Sequence, residues 1–131
     1  MKYKELQVGD WYKYKDNYYI YTQYLNGANV SINLATGIIC LPLKENIEVD
    51  FCPSFKVSNP NIFVGLIKDA PKGVVLQSIE EKLYFIKPYT PFLENNDVVI
   101  ISANQNNGYW ITSKYYNCNV RTVNETTLYY E

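Results

Sequence analysis

Short runs of alternating apolar and polar residues dominate the chain, and Gly, Asn, Asp and Pro separate them. The apolar positions are rich in β-branched and aromatic residues, which is typical of half-buried strands joined by tight turns. We expect strands over the following ranges: Asp10–Lys15, Tyr18–Tyr24, Ala28–Leu34, Ile38–Leu43, Ile47–Val57, Val74–Ile79, Leu83–Lys87, Asp97–Ala103, Tyr109–Tyr115, Asn119–Val123 and Thr127–Tyr130. No long amphipathic helix is predicted, so the pattern indicates an all-β protein.

Turn-forming residues indicate how some of these strands connect. Asn26-Gly27 is a strong signal for a two-residue hairpin turn between the second and third runs. Pro53 has no backbone donor, so we expect it to bulge or interrupt the long fifth run. The segment Ile62–Ile67 fits a buried strand or a helix, and its length and its glycine favour the strand.

A faint internal repeat suggests two β lobes built on one plan. Residues 19–37 align without gaps with residues 109–127, and five of the aligned pairs are identical. We therefore expect an N-terminal β-barrel lobe over residues 1–57 and a C-terminal β lobe over residues 58–131, with the repeat at 93–131. The alternative is chance identity in a chain rich in Tyr and Asn.

Composition and charge limit the classes of function. The 131 residues include 12 Lys and Arg and 13 Asp and Glu, so the net charge is −1. This balance argues against a strong non-specific binder of duplex DNA, which needs clustered positive charge. The chain shows neither a membrane-length apolar run nor a signal peptide at Met1, so we expect a cytoplasmic protein without a membrane partner.

Residues for catalysis or metal binding are scarce. The chain has no histidine, so neither a Ser-His-Asp nor a Cys-His pair can form, and the glycine spacing excludes a phosphate-binding loop. The carboxylate pair Glu80-Glu81 could serve in acid–base catalysis, but we interpret it as a solvated hairpin turn. We expect Cys40, Cys52 and Cys118 to be free and mostly buried thiols. The sequence therefore predicts no enzyme, no cofactor and no metal.

Tyrosine and lysine interleave near the N-terminus, where half of the 14 tyrosines lie within the first 24 residues. Alternation along a strand puts Trp11, Lys13 and Lys15 on one face, and the two lysines indicate that this face meets solvent. If Ile20 points inward in the next strand, Tyr19 and Tyr21 project outward near this stripe.

These rings and charges are the candidate binding surface, since exposed aromatic rings beside ammonium groups suit stacking on a base or anchoring of a protein. Arg121 is the only arginine and is predicted to be exposed, which makes it a second-tier candidate. The predicted partner-binding residues are Trp11, Lys13, Lys15, Tyr19, Tyr21 and Arg121. The alternative is that the rings are partly buried packing, or that Tyr-rich composition reflects codon usage.

The N-terminal part resembles a group of small, uncharacterised bacteriophage proteins. The matching segments are Leu6-Gln-Val-Gly-Asp10, Tyr19–Thr22, Val30-Ser-Ile-Asn-Leu-Ala-Thr-Gly37 and Glu48-Val-Asp50 with Lys56-Val57, where the group has L-x-V-G-D-x-F, N-L-x-T-G and V-x-P-V-like patterns. The likeness covers about residues 5–57 and departs from the group at Trp11-Tyr12 and around Tyr24–Gly27. It implies a phage origin and an SH3-like barrel, and no functional residues carry over.

The first hypothesis is a non-enzymatic phage-type binding protein in the host cytoplasm. It would inhibit a host or defence protein, or sequester a small nucleotide signal, through the exposed Tyr/Trp/Lys surface. The alternatives are a single-stranded nucleic-acid-binding module and a virion structural component. The sequence is compatible with a homo-oligomer as well as with a monomer.

Overall fold

The computed structural model describes residues 1–23, 27–59, 61–79, 83–89, 97–102, 107–111 and 118–130. Its strands are β1 (Trp11–Tyr14), β2 (Asn17–Gln23), β3 (Asn29–Asn33), β4 (Ile39–Cys40), β5 (Asp50–Phe51), β6 (Ser54–Val57), β7 (Val64–Leu66), β8 (Val75–Ser78), β9 (Tyr84–Ile86), β10 (Val98–Ser102), β11 (Trp110–Ile111), β12 (Asn119–Thr122) and β13 (Thr126–Tyr129). Two 3₁₀ turns cover Tyr3–Glu5 and Ile67–Asp69. The all-β prediction is confirmed.

The strands form three antiparallel sheets. The first sheet has the order β4-β3-β2-β1-β5, and the second has the order β11-β10-β9-β8-β12-β7. Strands β6 and β13 form a separate pair that joins Ser54–Val57 to Thr126–Tyr129. This arrangement fits a barrel or sandwich type of fold, and the SH3-like detail stays a prediction.

Most predicted strands form close to their expected positions. Pro53 does interrupt the long fifth run, which divides into β5 and β6. The ambiguous segment at 62–67 supplies strand β7 and the start of the second 3₁₀ turn. Part of the predicted strand Tyr109–Tyr115 lies outside the described residues. Strand propensity therefore located the elements well.

The first three strands form two hairpins. Strands β2 and β3 pair as expected, from Tyr19 with Asn33 to Gln23 with Asn29 among the described residues. Asn26 itself lies outside the described residues. Strands β1 and β2 are joined by Lys15 and Asp16, whose φ angles of 47° and 66° give the twist that a two-residue hairpin needs.

The main core lies between the first and second sheets. Its buried residues are Trp11, Ile20, Val30, Ile32, Leu34, Cys52, Phe55, Val57, Val75, Ile86, Val99, Ile101, Trp110, Val123 and Leu128. Both predicted lobes, 1–57 and 58–131, contribute to this one cluster. The lobe boundary stays a prediction, but the largest cluster of buried apolar residues contains residues from both parts.

Two smaller cores cover the outer faces of the sheets. On the first sheet, Tyr3 and Leu6 pack with Tyr12 and Val49. On the second sheet, the residues of the cluster are Ile67, Ala70, Leu76, Phe85, Val98, Ile100 and Val120. Both sheets are therefore apolar on two faces near their centres, which weakens the simple alternation of inward and outward residues.

A buried lysine supports the second of these cores. Lys87 is only 3% exposed, and its ammonium donates hydrogen bonds to the carbonyl oxygens of Ile67, Lys68 and Ala70 at 2.9, 3.1 and 2.9 Å. Burial lowers the pKa of this ammonium. Because all three N–H groups have acceptors, the lysine ties the 3₁₀ turn to the end of β9.

A close backbone approach joins the N-terminal segment to the loop before β11. A Cβ atom at Gly108, where φ is +87°, would lie 2.6 Å from the amide nitrogen of Gly9. Asn107 Nδ2 donates to the Gly9 carbonyl at 2.6 Å, and the Thr22 hydroxyl donates to the Gly108 carbonyl. Glycine is required there by both space and conformation.

The predicted internal repeat can be compared with the strand pairing of the described residues. Strands β2 and β3 are hydrogen-bonded neighbours, whereas β11 and β12, which occupy the aligned positions, lie apart in the second sheet. The aligned segments thus pair differently within this part of the chain. A duplication stays a prediction. No helix among the described residues is long and apolar enough to cross a membrane.

Candidate functional site

The predicted solvent-facing position of Trp11 is wrong. The residue is fully buried, and its indole Nε1–H donates to the Ile101 carbonyl at 3.0 Å. Its ring contacts Phe55 and Tyr130 edge to face, with centroids 4.7 and 5.7 Å apart. Alternation did place Trp11 on one face with Lys13, but the apolar area of the indole outweighs the lysines and carries that end of the strand into the core.

Tyr19 and Tyr21 lie on the opposite face of the first sheet from Trp11, and both are half-buried. The Tyr19 ring stacks on Tyr12 at 5.2 Å, and the Tyr21 ring meets Tyr3 edge to face at 5.5 Å. Burial raises the pKa of both hydroxyls. The expectation that these two rings lie near a Trp11 stripe is wrong, because they belong to the smaller outer core.

The two predicted lysines lie at the end of the first hairpin, where the core no longer reaches. The Lys13 ammonium lies 5.7 Å from the centroid of the Tyr18 ring, and the Lys15 ammonium lies 5.3 Å from that of Tyr14. Lys13 pairs with Tyr18 across the two strands, which puts the cation and the ring side by side. Lys13 therefore keeps an aromatic neighbour, but it is Tyr18 and not Trp11.

Tyr18 also forms one wall of an open pocket of about 430 Å³, which we call the Tyr18 pocket. The pocket lies where the start of β2 meets β6 and the start of β8. Its lining residues are Tyr18, Leu34, Ala35, Phe55, Lys56, Val57, Ser58, Asn59, Asn61, Gly73, Val74 and Val75. Its volume falls within the range of small-molecule sites.

Asn59 is the unusual polar residue of this pocket. It is 7% exposed, and its buried Nδ2 has no hydrogen-bond partner among the described residues. Its Oδ1 accepts from the Asn61 backbone N–H at 3.3 Å, which assigns the other atom as the donor. An unsatisfied buried donor costs about 1–3 kcal/mol. A ligand acceptor would remove this cost only if the wall of the pocket opened at Asn59, because this nitrogen has almost no accessible surface.

Lys56 is the one charged residue among the described lining residues of the Tyr18 pocket, and Lys13 lies beside Tyr18. Two carboxylates lie outside this lining, since Asp50 is the partner of Lys13 in β5 and Asp69 lines a neighbouring pocket that shares Asn59. Arg121 does not belong to this site, since it lines a different pocket that shares no residue with it. The described residues therefore bring Lys13 together with an exposed ring, but separate it from Trp11 and Arg121.

Sequence reasoning missed Tyr18, Lys56 and Asn59. Tyr18 sat in a predicted strand, yet nothing distinguished it from the other tyrosines. Asn59 belongs to Ser58-Asn-Pro-Asn61, which the sequence suggested only as a lobe boundary. The sequence did show that Asn59 precedes a proline and follows an apolar strand. A polar side chain at such a position needs a hydrogen-bond partner once it is buried.

The cysteines are free, as predicted, but only Cys52 is buried, while Cys40 and Cys118 are half-buried. Burial raises the pKa of the Cys40 and Cys52 thiols, which disfavours their reactive thiolate forms. Within the described residues, no group of three or more His, Cys, Asp or Glu side chains is placed to hold a metal ion.

Comparisons with known proteins add no relative. No protein-family model, no curated protein and no solved structure matches this chain. We therefore infer function from the pockets and side chains of the described residues.

Proposed function

We propose that this chain is a non-catalytic binding protein that sequesters a small nucleotide-like ligand in the Tyr18 pocket. The observation that carries the proposal is a pocket lined by an exposed tyrosine ring, a lysine and the amide side chain of Asn59. A planar base offers both a face for stacking and a ring nitrogen or carbonyl oxygen as acceptor. A base would therefore stack on the tyrosine ring and accept a hydrogen bond from the amide.

Stacking supplies the first part of the proposed affinity. Tyr18 is 38% exposed, so one part of its ring is open to a ligand while Lys13 lies at 5.7 Å from its centroid. Stacking of a base on an aromatic side chain contributes about 1–3 kcal/mol. A base on Tyr18 would also be close to positive charge.

Charge supplies the second part. Lys56 lies on the exposed side of β6 and lines the pocket, and Lys13 adds a second ammonium group nearby. Lys56 is the one charged side chain among the described lining residues, so a phosphate attached to the ligand would meet a positive charge inside the pocket, while Asp50 and Asp69 lie outside the lining. The ligand class is therefore a nucleoside phosphate in preference to an uncharged nucleoside.

A titration with nucleoside monophosphates tests this proposal. We expect the four common monophosphates to bind with different affinities, with the Tyr18→Ala variant weakened about 10- to 100-fold by the loss of stacking. Lys56→Gln should weaken the monophosphate but leave the matching nucleoside unchanged. The matched control is Tyr129→Ala, because Tyr129 is 68% exposed and lies on β13 outside this pocket.

Equal binding by wild type, Tyr18→Ala and Lys56→Gln would overturn the proposal, as would no binding of any monophosphate. Unfolding of a variant is checked by its circular dichroism spectrum. If the Asn59 donor is instead satisfied by a buried water, the uncharged Asn59→Leu variant will bind the nucleosides as the wild type does.

Single-stranded nucleic acid is the second candidate, and the two lysine–tyrosine pairs of the first hairpin favour it. A strand would cover both pairs, so its affinity should exceed that of a monophosphate and fall more steeply with salt. The expected slope of log K against log salt is about −0.7 per phosphate contacted. A slope near that of the monophosphate would exclude this candidate.

The wider setting stays a proposal from the sequence. The resemblance to small bacteriophage proteins supports a phage protein that acts in the cytoplasm of its host, where nucleotide signals are available. Occlusion of a host or defence protein is the other form of inhibition, and no described surface singles out such a partner. Capture of nucleotide from a cell extract would favour sequestration.

A further inference from the structure

A second pocket of about 320 Å³ lies on the neighbouring strands, where Val123 bonds to Val75 and Thr126 pairs with Val57 of the Tyr18 pocket. Its lining residues are Gln77, Tyr84, Arg121, Thr122, Val123, Asn124, Glu125 and Thr126. Strand β12 pairs with β8 and β8 with β9, so that Arg121 lies opposite Gln77 and Gln77 opposite Tyr84. This row continues the apolar row formed by Val75 and Ile86 beyond the edge of the core. We call it the Arg121 pocket.

Hydrogen bonds fix the guanidinium of Arg121 in this row. Its Nε and Nη2 atoms donate to Gln77 Oε1 at 3.3 and 3.1 Å. Gln77 Nε2 in turn donates to the Tyr84 hydroxyl at 3.3 Å. These bonds use two of the five guanidinium N–H groups and leave the others for a ligand. An oriented guanidinium loses less entropy when it binds a carboxylate.

Glu125 provides an opposite charge on the same pocket. It lies four residues after Arg121, in the turn that leads from β12 to β13, and is exposed. No ion pair within 4.0 Å joins Arg121 to a carboxylate of the described residues, Glu125 included. The pocket thus holds one positive and one negative group that do not neutralise each other by direct contact.

We propose that the Arg121 pocket binds a zwitterionic ligand of the free α-amino acid class. The carboxylate of the ligand would lie on the guanidinium, where a planar group can form two parallel hydrogen bonds. Its ammonium would lie on the Glu125 carboxylate. A phosphate dianion fits less well, because Glu125 repels its charge. The pocket shares no described lining residue with the Tyr18 pocket, so the two ligands would occupy separate sites.

Amide NMR spectra of the labelled full chain provide the test, with free L-α-amino acids as probes at millimolar concentration. The tightest of them is compared with its N-acetyl derivative, its methyl ester and inorganic phosphate. We expect each derivative, lacking one of the two charges, to bind at least about tenfold more weakly, since a hydrogen bond to a charged group contributes about 1.5–3 kcal/mol.

Three variants assign the charges. Arg121→Gln should abolish binding of the amino acid and of the N-acetyl derivative. Glu125→Gln should weaken the free amino acid but strengthen the N-acetyl derivative and phosphate, which removes the preference for the zwitterion. Lys44→Gln is the control, and it should leave these affinities unchanged because Lys44 is exposed and lines neither pocket.

The outcome separates this inference from the proposed function. If phosphate or the N-acetyl derivative binds the wild type as tightly as the free amino acid does, the zwitterion assignment is wrong. If no amino acid shifts any resonance, the inference fails, whatever nucleotides do at Tyr18. The Tyr18→Ala variant should retain amino acid binding in full.

Discussion

Trp11 is buried in the main core, although the sequence predicted that its ring faces solvent and binds a partner. The flanking lysines favoured solvent, but the indole packs on Phe55 and Tyr130 and donates a hydrogen bond to Ile101. A binding surface assigned to this ring is therefore replaced by one around Tyr18, two positions beyond the turn. At the residue scale, burial of a large ring outweighs the pull of neighbouring charges.

Trp11→Ala should destabilise the protein by about 3–5 kcal/mol, as expected for removal of a large aromatic ring from a core. Tyr18→Ala should cost less than about 1 kcal/mol, because Tyr18 is 38% exposed. Urea denaturation followed by tryptophan or tyrosine fluorescence measures both. Similar losses in the two variants would contradict the assignment of one ring to the core and the other to the surface.

Tyr130 predicts a loss of stability in alkali. Burial and the hydrogen bond from its hydroxyl to Asp10 at 2.7 Å raise its pKa to about 12. Because the folded state holds the proton more tightly than the unfolded state does, this stabilisation is complete below pH 10 and is lost as pH rises from 10 to about 12.

Denaturation of the wild type and of Tyr130→Phe across this pH range checks the effect. The variant lacks the hydroxyl, so its stability should fall less steeply with pH than that of the wild type. Parallel curves would show that the Asp10–Tyr130 hydrogen bond does not control the alkaline response.

At the scale of elements, the contact of Gly9 with Gly108 joins the N-terminal segment to the loop before β11. Gly108→Ala should cost about 3 kcal/mol or more, because the new Cβ atom would lie 2.6 Å from the Gly9 amide nitrogen. Gly27→Ala is the matched control, since its φ is +91° but no atom of the described residues lies within 4 Å of a Cβ there. It should cost only the conformational term of about 1–2 kcal/mol.

Thermal unfolding of the two alanine variants compares these terms directly. An equal loss at both positions would mean that the loop before β11 moves aside without cost, and that the close approach contributes nothing to stability.

Strand positions were largely predictable, and strand faces were not. Local residue types located most of the strands, including the break at Pro53. The face of β1 was misjudged because both Trp11 and Tyr12 are buried, one on each side of the sheet. Alternation identifies which residues share a face, but only the packing of distant segments such as Tyr3 and Ile101 decides which face is covered.

At the scale of the whole molecule, one core unites the two predicted lobes. Strand β6 pairs only with β13 among the described strands, and Trp11 contacts Ile101 from the other half of the chain. We expect a fragment of residues 1–57 to lack a cooperative unfolding transition, because its inner face loses its apolar cover. Calorimetry of that fragment beside the full chain measures this, and a cooperative transition would establish an autonomous lobe.

The candidate sites depend on the same long-range packing. Lys13 and Arg121 were found from the sequence because they are charged residues on strands. Their neighbours could not be found, since sheet packing brings Asn59 into one pocket with Tyr18 and strand pairing brings Gln77 to Arg121. The Ser58-Asn-Pro-Asn61 segment was interpreted only as a lobe boundary for the same reason.

The buried ammonium of Lys87 has a practical consequence for following this protein in solution. Acylating reagents need a free amine, so they should modify the exposed lysines first and reach Lys87 only when the Ile67–Ala70 turn detaches. Mass spectrometry of a time course of acetylation would then detect that opening as delayed acetylation of Lys87. Rapid labelling of Lys87 would show that the turn opens on the timescale of the reagent.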